Sequence, residues 1–179
     1  MGSAIADELG LPFIDGDDLH PPENIAKMSA GQPLNDLDRE PWLRTIQKTI
    51  QDKTSEQVGI DAERKGVVVA CSALKRYYRD ILRGLLGNNE GIAGSGSAGP
   101  PPWPTYFVFI EGSKEMLMDR MQKRTGHFMK AQMLESQLSA LENPVGEEGV
   151  VVVSAEDATE VQVKNAIEGL ESLWKEVDM

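Results

Sequence analysis

Short unbroken apolar runs alternate along this chain with longer stretches in which apolar residues recur every third or fourth position. The runs are Leu11–Ile14, Val67–Cys71 (VVVAC), Thr105–Ile110 (TYFVFI) and Val150–Ser154 (VVVVS). Their β-branched and aromatic content, with little polar alternation, predicts strands buried on both faces, the habit of parallel sheets. Helices are predicted between them. Over residues 1–10, Ile5 and Leu9 share a face, and Gly10 then Pro12 stop the pattern. Pro41-Trp42-Leu43 opens a second helix with proline in its first turn, and Trp42, Leu43, Ile46 and Ile50 keep helical spacing to about Gln57. Further helices are expected over Arg76–Leu86, Lys114–Lys123, Met133–Leu141 and Asp157–Val177. Strands alternating with helices predict an α/β fold built on a parallel sheet.

Two stretches break this pattern. Residues 84–104 turn to Gly, Asn, Ser and Pro and predict a flexible surface insertion. A buried strand resumes directly afterwards, so the expectation is one domain over residues 1–179. The other stretch is Leu11–Leu43, LPFIDGDDLHPPENIAKMSAGQPLNDLDREPWL, which has neither period for long and is crowded with charge. A strand breaking into Asp15-Gly16-Asp17-Asp18 places three carboxylates at a strand end, where α/β proteins carry ligands. In Asp-Gly-Asp the glycine is expected to let the backbone turn sharply between two carboxylates. A solvated turn with a capping Asp is the plain structural alternative.

Charge and cysteine narrow the setting. The formal net charge of −11 argues against nucleic acid, whose phosphates are met by Lys/Arg surfaces. No apolar run approaches the roughly 20 residues of a membrane span, and no signal peptide opens the chain. Cys71 is the single cysteine, which fits a reducing, cytoplasmic setting.

The segments DGDDLHPPENIAKMSAGQPLNDLDREPWL, VVVACSALKRYYRDILR (Val67–Arg83) and RMQKRTGHFMKAQMLESQLSALENP (Arg120–Pro144) together resemble the gluconokinases, P-loop kinases of a sugar acid. The resemblance covers most of the chain. It implies a three-layer parallel sheet of the nucleoside-monophosphate-kinase type, with D-gluconate as acceptor, ATP as donor and Mg²⁺ as cofactor. Asp17 would hold the acceptor hydroxyl and act as base, and Asp15 would approach Mg²⁺ through water. His20, Arg39, Lys75, Arg79, His127 and Gln137 would contact the sugar acid. Arg120, Arg124 and Lys130 would meet ATP, in a lid over residues 120–133. Similar kinases are often dimers.

The family's first strand and its G-x-x-x-x-G-K-[ST] loop are expected immediately before the first helix, and no such motif occurs in these 179 residues. That loop cradles the phosphates, and its strand sits mid-sheet, so its two neighbours would lose a pairing partner. An inactive relative that binds sugar acids or partners is therefore the second reading, and a shikimate-type kinase a third. A haloacid-dehalogenase-type phosphatase would also use Asp15 and Asp17 with Ser72. It fails on Leu19, and on the lack of Gly-Asp-x-x-x-Asp after Val150–Val153.

Overall fold

The computed structural model describes residues 1–59, 64–86, 104–122 and 128–177. Its elements in order are α1 (Gly2–Leu9), β1 (Phe13–Asp15), a 3₁₀ turn (Gly16–Leu19), α2 (Pro22–Ser29) and α3 (Asp36–Ser55). They continue with β2 (Val68–Ala70), α4 (Arg76–Leu82), β3 (Phe107–Glu111), α5 (Lys114–Gln122), α6 (Phe128–Ala140), β4 (Val150–Ser154) and α7 (Thr159–Val177). All four apolar runs are strands, and both pairings are parallel. β1 runs beside β2 with Ile14 opposite Val69, and β3 beside β4 with Phe109 opposite Val152.

The sheet comes in two halves. β2 and β3 both line one apolar trough of about 730 Å³, walled also by Ile5 and Leu9 of α1 and by Leu170 and Trp174 of α7. Among the described residues no backbone ladder joins the two halves. Two core clusters pack on the strands, and each reaches across both halves: Phe107 of β3 joins the first, and Leu11 with Val68 of β2 joins the second. Trp42, Leu43 and Ile46 of α3 pack on Tyr78, Ile81 and Leu82 of α4 over the first pair, while Ile5 and Leu9 meet Val153 and Ala166 under the second. No described helix is long and apolar enough to cross a membrane.

Several helices differ from the sequence expectation: α6 starts at Phe128 rather than Met133, α4 ends at Leu82 rather than Leu86, and α3 and α2 differ for identifiable reasons. α3 starts at Asp36 rather than Pro41, because Asn35 and Asp38 close a reciprocal capping box: each side chain takes the other's backbone N–H, at 3.0 and 3.1 Å. Pro41 consequently sits inside the helix. The N–H it lacks would have gone to the carbonyl of Leu37, a residue 73% exposed. α2 was not expected at all. Pro22 occupies its first turn with Glu23, and Lys27 its last, which suits the helix dipole.

Candidate functional site

The acidic turn owes its shape to a close approach. Gly16 does not carry a positive φ; a Cβ there would lie 2.7 Å from the Ala70 carbonyl oxygen and 3.0 Å from the Cys71 Cβ. Glycine is needed because the turn presses against the end of β2, not because the chain bends through a left-handed conformation. Asp15 caps the 3₁₀ turn, its Oδ1 accepting from the Asp17 N–H at 3.0 Å. The Gly16 carbonyl accepts from the Trp42 Nε1–H at 2.7 Å. Trp42 is fully buried, so the strand-end carboxylates are fastened to the core of α3.

Trp42 also sets His20. The two rings stack 4.2 Å apart and 14° from parallel. His20 is 8% exposed. Its Nδ1 lies 3.3 Å from the Asn24 Nδ2, and its Nε2 lies 3.9 Å from the Asp17 Oδ1, too far for a direct hydrogen bond. Burial pushes the His20 pKa below its usual value; Asp17 opposes this and Arg39 adds to it. The ring is therefore neutral near pH 7.

Arg39 lies 6% exposed on α3. Its Nε donates to the Leu34 carbonyl and its Nη1 to the Ser72 hydroxyl, both at 3.3 Å. Among the described residues no carboxylate stands within ion-pairing distance of it. Burial lowers its pKa, with Tyr78, Asp36 and Asp38 opposing at longer range. A guanidinium has five N–H donors, so a buried cation with most of them unspent faces a hollow of about 80 Å³. Asp17, His20, Arg39, Ser72 and Gln137 line that hollow, with Met28, Pro33, Leu34 and Met133 as its apolar part. By the same measure a water needs about 10–15 Å³, so the hollow holds the end of a small polar molecule rather than all of one.

The structure thus brings Asp17, His20, Arg39 and Gln137 together, with Asp15 behind them. Ser72, read from sequence only within the phosphatase alternative, joins them through its bond to Arg39. Lys75 and Arg79 are not among the lining residues. Lys75 Nζ donates to both Asp36 oxygens, at 2.8 and 2.7 Å, and Tyr78 donates to the same carboxylate. Those bonds hold the Asp36 carboxyl below the usual range; burial first, and then the bond to Asp36, pushes the Tyr78 phenol up.

Arg79 is 1% exposed and spends its guanidinium on protein. It pairs with both Glu147 oxygens, at 3.0 and 2.5 Å, and donates to the carbonyls of Ala73, Leu74 and Glu142. The sequence expectation was sugar-acid contact; here all five N–H donors are spent within the protein. The strand-end position was legible, but the partners, up to 68 residues away, were not. Arg120 lies exposed near the end of α5. Arg124 and His127 lie outside the described residues, as does the side chain of Lys130.

No family model matches the chain. It is 42% identical over 162 residues to a probable gluconokinase of Schizosaccharomyces pombe, covering 89% of this chain and 75% of that protein. It is also 42% identical over 167 residues to a gluconokinase of Gluconobacter oxydans, covering 93% and 81%. A crystal structure of a gluconokinase from Sinorhizobium meliloti superposes with a TM-score of 0.76 at 43% identity, over 98% of this chain and 86% of that one.

Proposed function

The chain belongs to the gluconokinase family, and on that premise we propose that it transfers the γ-phosphoryl group of ATP to D-gluconate, giving 6-phospho-D-gluconate. The observation that carries this reading is Arg39. A buried guanidinium without an ion-pair partner among the described residues is costly unless a ligand supplies the anion. A sugar-acid carboxylate supplies it, in the bidentate geometry that arginine favours. The hydroxyls then fall to His20, Ser72 and Gln137 around the same hollow.

Asp17 is the side chain at the open end, 82% exposed. It accepts a hydrogen bond from the acceptor hydroxyl and aims its oxygen at the γ-phosphorus. As the new O–P bond forms and the bond to ADP breaks, Asp17 takes the proton. Arg120, Arg124 and Lys130 are assigned to ATP, and His127 to the closing lid.

The residues present fit Mg²⁺. No three His, Cys, Asp or Glu side chains converge into a cage among the described residues. The donors offered are the strand-end carboxylates of Asp15 and Asp17, and Mg²⁺ takes one or two carboxylates along with waters and phosphate oxygens. Asp15, with its second oxygen free of described partners, is the nearer candidate and Asp17 its neighbour. When bound, the ion would offset charge on the phosphates. The same proposal places the enzyme in the cytoplasm, where the free thiol of Cys71 stays reduced, and as a homodimer.

The test is ADP release coupled to a reporter, with Mg-ATP and D-gluconate or shikimate. It is run on this chain and on one extended upstream by a strand and a G-x-x-x-x-G-K-[ST] loop. Gluconate-dependent release from either supports the reading, and the comparison shows whether that loop is indispensable. Release with shikimate alone, or silence from both chains, overturns it.

A further inference from the structure

Asn24 is 3% exposed on α2 and does not line the hollow. Its Nδ2 donates to the Asp38 carbonyl at 2.8 Å, which fixes which end of the amide faces α3, since the amide oxygen there would meet a second acceptor. Lys27 on the same helix pairs with the Asp38 carboxylate, so α2 is held against the capped start of α3 at Asn24 and one turn beyond it. The same Nδ2 stands 3.3 Å from the His20 Nδ1. An amide nitrogen only donates, so Nδ1 is the accepting, unprotonated ring nitrogen. In a neutral ring the proton is then on Nε2, the nitrogen that faces Asp17 across 3.9 Å. Trp42, stacked on the ring, opposes any rotation that would exchange the two nitrogens.

We propose that Asn24 is a positioning residue that holds His20 as the Nε2–H tautomer, so that the ring offers a donor to the hydroxyl seated between His20 and Asp17. The assignment of that hydroxyl to a sugar acid rests on the function proposed above. The consequence is directional. A hydroxyl has one proton, and between the Asp17 carboxylate and an accepting Nε2 it would leave one acceptor unpaired. With Nε2–H donating, its own proton points to Asp17, the direction in which it must leave.

The long-range ¹H–¹⁵N correlation spectrum of the histidine rings tests this. The chain has two histidines, and the His20 pattern is the one lost in His20→Gln. In the unaltered chain at pH 7.5, Nε2 is expected at the shift of a protonated ring nitrogen and Nδ1 at that of an unprotonated one. In Asn24→Asp the introduced carboxylate accepts instead of donating, so the pattern inverts. Gluconate affinity, followed by calorimetry, falls about five- to tenfold, the value of one hydrogen bond. An unprotonated Nε2 in the unaltered chain overturns the proposal and needs no variant to fold. An inverted pattern with unchanged gluconate affinity overturns the positioning role. Failure of the unaltered chain to bind gluconate refutes the function reading instead, because the tautomer is read without ligand.

Discussion

Replacing Arg79 separates a structural arginine from a substrate arginine. Arg79→Met keeps most of the side-chain volume and deletes the guanidinium, with its pair to Glu147 and its bonds to the carbonyls of Ala73, Leu74 and Glu142. Breaking a buried pair by removing one partner costs about 3–5 kcal/mol. Glu147 is 14% exposed and keeps Arg83 at 3.5 Å, which draws the ion-pair part toward the lower end. Three carbonyls losing a donor add up to about 1 kcal/mol each where water cannot replace it. A loss of about 3–5 kcal/mol is a large share of the roughly 5–15 kcal/mol that holds a domain folded. At this chain length it lowers Tm by about 10 °C. Urea unfolding reads the loss, and calorimetry at 15 °C reads gluconate affinity in the folded variant, expected within about twofold of the unaltered chain. Stability unchanged within about 1 kcal/mol, with gluconate affinity collapsed, would refute the reasoning and put the guanidinium back in the site.

Other perturbations probe the turn, the helix start and the titrating groups. Gly16→Ala must push the acidic turn off β2, because its Cβ meets the Ala70 carbonyl at 2.7 Å; activity is expected to fall more than tenfold, as misplaced catalytic groups do, and full activity would remove the close approach as the reason for glycine. Asn35→Ala opens the capping box of α3 and is expected to cost about 1 kcal/mol in urea unfolding, against no change if Pro41 marked the true start. The pH dependence of stability has two stages. His20 has a lowered folded pKa, so below about pH 6.5 the unfolded chain binds a proton that the folded one does not, and stability declines; His20→Gln removes that stage. Asp36 and Glu147, held low by Lys75 with Tyr78 and by Arg79, contribute stability that is present above about pH 4.5 and lost as pH falls further. Urea midpoints from pH 8 to 3 read both stages, and a flat profile above pH 4.5 in the unaltered chain would contradict the first.

The strands and the site differ in how far sequence alone reaches. Val67–Cys71 and Val150–Ser154 are legible because a run of β-branched residues has one stable use, a buried parallel strand. Asp17, His20 and Arg39 are legible as a group because one continuous segment carries them, and the roles proposed for them come from the resemblance to a family. α2 was missed because eight residues opening on proline give no period long enough to register. The start of α3 was misplaced because proline is a stronger local signal than an Asn-x-x-Asp box, although the box carries the hydrogen bonds. Lys75 and Arg79 look alike at a strand end. Only long-range partners, Asp36 for one and Glu147 for the other, show that both are bound up in the scaffold. Asn24 gave no signal either, since its role depends on a ring four residues away and on the backbone of another helix.

The central claim is that Arg39, buried and without an ion-pair partner among the described residues, takes the carboxylate of a sugar acid. Calorimetric titration of D-gluconate and of the uncharged D-glucitol into the unaltered chain and into Arg39→Met tests it most directly. The expected result is gluconate binding by the unaltered chain, none by D-glucitol at the same concentrations, and at least a 30-fold loss in Arg39→Met, about 2 kcal/mol for a charge-assisted pair. Equal binding of D-glucitol, or gluconate binding retained by a folded Arg39→Met, would contradict it.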